Sequence, residues 1–175
     1  NFRHEDDSVI PHFRRITVEC HSHGTVMVHQ IYHIGGHGDQ DNSWEPYWSP
    51  SGLPSMHDPW GSHAMREAEI EELIESFVAA ARRDRESGFD GVDLFAGYNC
   101  LIDQFWSPIT NQRDDRWGGS LDNRMRFSVE VCHRIREMAG DDFIVGMTVS
   151  GAEPYPGGLT IEDKQEMAAY LDARG

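Results

Sequence analysis

The feature that most limits the fold is an alternation along the chain. Three short runs rich in apolar and β-branched residues, at 25–32, 89–95 and 143–149, each precede a segment of helical or loop-then-helical character. Runs of that length and composition suit parallel strands covered on both faces. Parallel neighbours need crossover connections, and helices supply them with right-handed geometry. The clearest helix spans residues 66–87, where Ile70, Leu73, Ile74, Phe77, Val78 and Ala81 recur on one face and Gly88 supplies a stop. A second is expected over 120–139, capped by Ser120 and ended by Gly140, with Leu121, Met125, Cys132 and Ile135 inward. A third is expected over 160–174, with Ile161, Met167, Ala168 and Leu171 inward. Ahead of the first strand, residues 7–23 read as a helix with Pro11 in its first turn and Gly24 beyond its end.

This is an α/β pattern, and an open doubly wound sheet or part of a (β/α)8 barrel would both produce it. In either, ligands sit at the carboxyl ends of the strands. That rule selects residues 30–37, 95–103 and 148–154. Residues 35–63 hold half of the prolines and Trp44, Trp48 and Trp60; so long a connection reads as a lid or binding loop. The segment from 96 to 119 also reads as loop.

Acidic residues total 30 against 15 basic ones, a formal charge of -15, which repels nucleic-acid phosphates and anionic lipid surfaces. No apolar run approaches the roughly 20 residues a membrane-spanning helix needs, and no signal-peptide pattern is present. Cys20, Cys100 and Cys132 are odd in number and widely spaced, as reduced thiols are. A cytoplasmic protein without nucleic-acid or membrane partners is the expectation. The 175 residues suffice for one core, whereas a whole barrel takes roughly 250 residues. With both termini read as cuts, the chain is expected to be a middle piece.

The most specific motif follows the second strand. It comprises Asp103-Gln104-Phe105-Trp106-Ser107-Pro108, then Thr110-Asn111-Gln112-Arg113-Asp114-Asp115-Arg116-Trp117-Gly118-Gly119-Ser120, then Asn123-Arg124-Met125-Arg126-Phe127. This string resembles the long signature after the fourth barrel strand of the old yellow enzyme family, in the branch of 2,4-dienoyl-CoA reductase and trimethylamine dehydrogenase. The similarity extends weakly over nearly the whole chain. It implies a partial TIM (β/α)8 barrel from about strand 3 to helix 5, with residues 1–175 forming a fragment of one FMN-binding domain. It also implies an oxidoreductase, with FMN as cofactor and, in sequence further along, a 4Fe–4S cluster and a second nucleotide cofactor.

The resemblance assigns residues as well. Gln30 stands where relatives place an amide on the flavin pyrimidine edge, which suits a side chain offering both donor and acceptor. A Gln satisfied by backbone is the plain alternative. Thr148 stands where relatives carry an Arg near flavin N1 and O2; a hydroxyl supplies no charge, so either a cation comes from elsewhere or the reduced flavin is less stabilised. Phe95, Tyr98 and Cys100 replace the polar strand-end residue, the Asn or His, and the Tyr acid of enoate-reducing relatives. Cys100 is thus a candidate acid, although buried cysteines are more often inert.

Aromatic faces attract alkylammonium groups by about 2 kcal/mol when water is excluded. Phe95 and Tyr98, with Tyr32 or a Trp of the long loop, therefore form a candidate cage for a methylated amine, and simple packing is the bland alternative. His33 is placed beside flavin and substrate, or else is structural. The expected reaction is oxidative N-demethylation of a methylated amine or amino-acid betaine. The alternatives are an NAD(P)H-dependent enoate or dienoyl reductase, a metal-dependent hydrolase using His21-Ser22-His23, and a scaffold without flavin. Asp114, Arg116, Arg124 and Arg126 are expected to tie the signature loop to the next helix, and Pro156-Gly157-Gly158 to form a turn. Electron acceptor and homo-oligomer formation stay open.

Overall fold

The three expected strands form one parallel sheet in the computed structural model, which describes residues 6–38, 46–55 and 59–174. A short 3-10 turn, Asp7–Val9, leads into α1 (Ile10–His21), followed by β1 (Val28–Ile31), β2 (Trp48–Ser49), β3 (His63–Ala64) and α2 (Glu67–Ser87). Then come β4 (Gly91–Ala96), α3 (Leu101–Trp106), α4 (Leu121–Ala139), β5 (Ile144–Val149) and α5 (Ile161–Asp172). The sheet order is β1-β4-β5, with Gln30 opposite Asp93, Asp93 opposite Gly146 and Phe95 opposite Thr148.

Side chains alternate across a strand, so this register decides what each face carries. Val92, Leu94 and Ala96 of β4 are fully buried in one cluster with Ile70, Ile74, Phe77 and Ala81 of α2 and Met125, Phe127, Val131 and Ile135 of α4. Burying each of the side chains larger than alanine stabilises by about 1.5–3 kcal/mol. Asp93 and Phe95 point to the other face, which Gln30 and Thr148 share. Apolar side chains there are left open: Val28, Tyr32 and Ile144 are all more than two-fifths exposed.

The helix ends follow the sequence. Gly88 closes α2 in the left-handed conformation at φ 90°, and the Ser120 hydroxyl accepts the Asn123 N–H at 3.3 Å to cap α4. Pro11 falls in the first turn of α1. His29 lies on the helix-covered face, where Nδ1 meets the buried Asp84 carboxylate at 2.8 Å and the ring stacks on Phe89 and meets Phe13 edge-on.

Three expectations need correction; in α5, Ile161 and Ala168, read as inward, are exposed, and the buried residues are Lys164 and Met167. The segment after β4 is not all loop, because α3 buries Leu101, Ile102, Phe105 and Trp106. Six residues span fewer than two turns, too few for helical periodicity to register. The long connection from 35 to 63 also carries pairing, since β2 and β3 align in parallel with Trp48 opposite His63.

Candidate active site

The carboxyl end of the open sheet face is organised around a residue that sequence reasoning passed over. Gln30 Nε2 donates to Asp93 Oδ2 at 2.7 Å, and Thr148 Oγ1 donates to the same oxygen at 2.8 Å. The signal for Asp93 was its place two residues before Phe95, which put both on one face of β4. Gly146 directly across the ladder contributes no side chain; a Cβ there would lie 3.9 Å from Asp93 Oδ1. Gln30 Oε1 has no partner among the described residues. A free amide carbonyl with a second N–H beside it matches the pyrimidine edge of an isoalloxazine, which presents one N–H between two carbonyl oxygens. The residues present therefore fit FMN at this wall.

Beside Thr148 and beyond Gln30 the aromatic side chains gather. Phe95 meets Tyr32 edge-on at 6.2 Å between ring centroids, and Tyr98 lies nearly parallel to Phe95 at 6.2 Å. Tyr98 is 81% exposed and leaves room for a ligand. Tyr98 and Asn99 both adopt left-handed backbone, at φ 52° and 55°. Such conformations cost about 1–3 kcal/mol and persist only when neighbours over-determine them. Here the Tyr98 N–H donates to Ser150 Oγ at 2.9 Å, the Asn99 N–H to Asp103 Oδ2 at 3.0 Å, and Asn99 Nδ2 to the Tyr155 hydroxyl at 3.1 Å. Of the long-loop tryptophans, Trp48 packs against the core beside His63, Trp60 is exposed, and Trp44 lies outside the described residues.

His33 follows the end of β1, and its carbonyl accepts the Leu101 N–H at 2.9 Å. Its Nδ1 accepts the Gly35 N–H at 3.0 Å, so the neutral ring carries its proton on Nε2. Burial depresses its pKa from 6.5 to about 4, making it a neutral donor at physiological pH. Between those values the unfolded chain binds a proton that the folded one refuses, so this stability is complete above pH 6.5 and is lost as pH falls towards 4. The loss should reach on the order of 3 kcal/mol by pH 4. Urea midpoints at pH 7 and 4.5 should diverge in the parent protein and draw together in His33→Gln; an equal divergence in both would assign the acid sensitivity elsewhere.

Cys100 is buried ahead of α3, and its thiol is pushed up by burial and then by Asp103. It keeps its proton at neutral pH. Beneath it a polar network joins the loops after β4 and β5. The Tyr155 hydroxyl donates to Glu153 Oε1 at 3.0 Å, Ser107 Oγ donates to Glu153 Oε2 at 2.8 Å, and Lys164 Nζ pairs with Asp103 Oδ1. Lys164 and Asp103 side chains are only 3% and 1% exposed, and the ammonium lies 5.0 Å from the Trp106 ring centroid. Tyr155, Glu153 and Lys164 had no sequence signal beyond their residue type.

The signature loop is mainly scaffold. Arg124 Nε donates to the Trp106 carbonyl at 2.6 Å and Arg126 Nε to the Arg116 carbonyl at 2.8 Å, as expected for ties between loop and α4. Arg116 instead reaches Glu67 and Glu71 of α2, and the acid paired with Arg113 is Asp115 and not Asp114, which has no partner among the described residues. Gly157, at φ 81°, confirms the turn. His21 pairs with Asp90 at 2.9 Å and His23 with Glu19 at 3.6 Å, so these two histidines serve separate contacts and are not drawn to one centre.

Parallel strands, helices over one face and functional side chains at the strand carboxyl ends define the (β/α)8-barrel class of enzyme. The chain belongs to the NADH:flavin oxidoreductase / NADH oxidase family, whose model matches residues 2–174. It is 44% identical over 170 residues to the N,N-dimethylglycine/sarcosine dehydrogenase of Chromohalobacter salexigens, covering 97% of this chain and 24% of that protein. It is 38% identical to the multifunctional alkene reductase/demethylase OYE of Caballeronia cordobensis, covering 97% of this chain and 24% of the relative. Histamine dehydrogenase from Rhizobium sp. 4-9 superposes with a TM-score of 0.87 at 33% identity, over 94% of this chain and 25% of that one. The chain thus spans about a quarter of the length of these proteins. Its sheet is an arc of a barrel, which settles the choice that periodicity left open. Among the described residues, no helix is long and apolar enough to cross a membrane.

Proposed function

We propose that residues 1–175 are one arc of an FMN-binding barrel domain that oxidatively demethylates a secondary or tertiary methylated amine. The observation that carries this reading is the group Tyr32, Phe95 and Tyr98 at the strand ends, with Phe95 beside Thr148 and two residues beyond the Gln30–Asp93 pair. Two similar proteins named for dehydrogenation of methylated glycines and for demethylation support it. FMN, when bound, supplies the two-electron acceptor for the hydride equivalent leaving an N-methyl carbon. The lone pair of a neutral secondary or tertiary amine turns that carbon into an iminium, which takes up water and releases formaldehyde and the demethylated amine.

The chain's own residues position the substrate and govern its protons. The three aromatic rings face the substrate ammonium, which gives up its proton before the hydride leaves. His33 offers a neutral N–H from the strand end. The exposed Tyr98 hydroxyl exchanges protons with substrate, and Cys100 stays a thiol beneath it. Gln30 orients the cofactor edge.

Anaerobic mixing of the full-length FMN-loaded protein with dimethylglycine, sarcosine or a simple methylamine should bleach the flavin absorbance. Bleaching by none of them, together with turnover of an enone by NAD(P)H, would replace this reading with enoate reduction. Phe95→Leu should raise the amine KM about tenfold, the loss of a desolvated cation–π contact, with a smaller change in kcat. An unchanged KM would show that Phe95 only packs.

A further inference from the structure

Asp93 is a carboxylate on an otherwise uncharged wall. Its face of the sheet carries Gln30, Tyr32, Phe95, Gly146 and Thr148, and no cation among the described residues lies within ion-pair distance of it. Both of its donors bond one oxygen, Oδ2. The geometry also constrains what those donors show to a ligand. A flipped Gln30 amide would set its carbonyl against the carboxylate, acceptor against acceptor, so the observed orientation is held with Oε1 free. Thr148 has one hydroxyl proton and gives it to Asp93, which leaves it only lone pairs for other neighbours.

We propose that Asp93 is a positioning residue for the cofactor: it locks the Gln30 amide carbonyl towards the flavin edge and makes this wall negative, so that the protein holds oxidised FMN in preference to reduced FMN. The proposal rests on the flavin reading above. It concerns the balance between the two redox states, which substrate recognition by the aromatic group does not determine. A wall that offers acceptors and negative charge suits an N–H of the cofactor and disfavours extra electron density placed against it. The flavin of this protein is accordingly a strong reductant once reduced.

The test is the midpoint potential of FMN bound to the full-length protein, measured spectroscopically in the parent and in Asp93→Asn, Asp93→Glu and Thr148→Val. Asp93→Asn should tighten reduced relative to oxidised FMN by about tenfold, an upward shift of about 30 mV for a two-electron couple. Asp93→Glu keeps the charge and should stay near the parent. Thr148→Val removes a donor that partly offsets the carboxylate, so the potential should move the other way. A purely structural role for Asp93 predicts no such opposition of sign. If Asp93→Asn does not retain FMN, Thr148→Val decides alone, and a potential at or above the parent's overturns the proposal. A parent protein that retains no FMN overturns the flavin reading and this inference together. Retained FMN with Asp93→Asn no higher than the parent overturns this inference and leaves that reading standing.

Discussion

Lys164→Met should destabilise the full-length FMN-loaded protein by about 3–5 kcal/mol, read as a lowered urea midpoint. Lys164 on α5 and Asp103 on α3 are sealed together, at 3% and 1% side-chain exposure. Removing the ammonium leaves a carboxylate in a dry site, where burial already pushes the Asp103 pKa upward and Lys164 is the main opposing influence. Asp103→Asn with Lys164→Met should recover most of the loss, because an uncharged side chain needs no counter-ion and Asn can still accept the Asn99 N–H. The function should follow the fold here. Asp103 Oδ2 holds the left-handed turn at Tyr98 and Asn99, so the single variant should also raise the amine KM. A destabilisation below about 1 kcal/mol would place the pair among solvent-screened surface bridges.

Trp106→Ala should cost a similar amount, about 3–5 kcal/mol, for a different reason. The indole is 1% exposed, its Nε1 donates to Ser128 Oγ at 3.0 Å, and its ring lies beneath the Lys164 ammonium. Truncation opens a cavity between α3 and α4, leaves the buried Ser128 hydroxyl with only its bond to the Met125 carbonyl, and thins the surroundings of the ion pair. Trp106→Phe retains most of the volume and loses mainly the Ser128 bond, so about 1–2 kcal/mol is expected. Combined with Lys164→Met, the Ala variant should fall short of additivity because the two side chains share a contact. Equal melting temperatures for the Phe and Ala variants would sink the cavity explanation.

The elements were legible where their pattern repeats often enough. α2 shows its inner face through Ile70, Leu73, Ile74, Phe77, Val78 and Ala81, and all but the partly buried Val78 are buried. The short strands show through composition and through the glycines at their borders. α3 was not legible, since six residues give no period to detect. Arg116 was misjudged for a related cause: its guanidinium reaches α2, more than forty residues back along the chain. Nothing local distinguishes that partner from a nearer acid.

The candidate site divides along the same line. Period-two alternation in β4 is enough to put Asp93 and Phe95 on one face and Val92 and Leu94 on the other, although Asp93 itself was passed over, and the motif after β4 marked the strand ends as functional. That much is local stereochemistry, and sequence carries it. Sequence alone did not determine that Gln30 and Thr148, 63 and 55 residues from Asp93, would meet on a single carboxylate oxygen. Their meeting depends on strand order and register, which are chosen by how α2 and α4 pack over the sheet. A slip of one residue would turn each side chain to the opposite face.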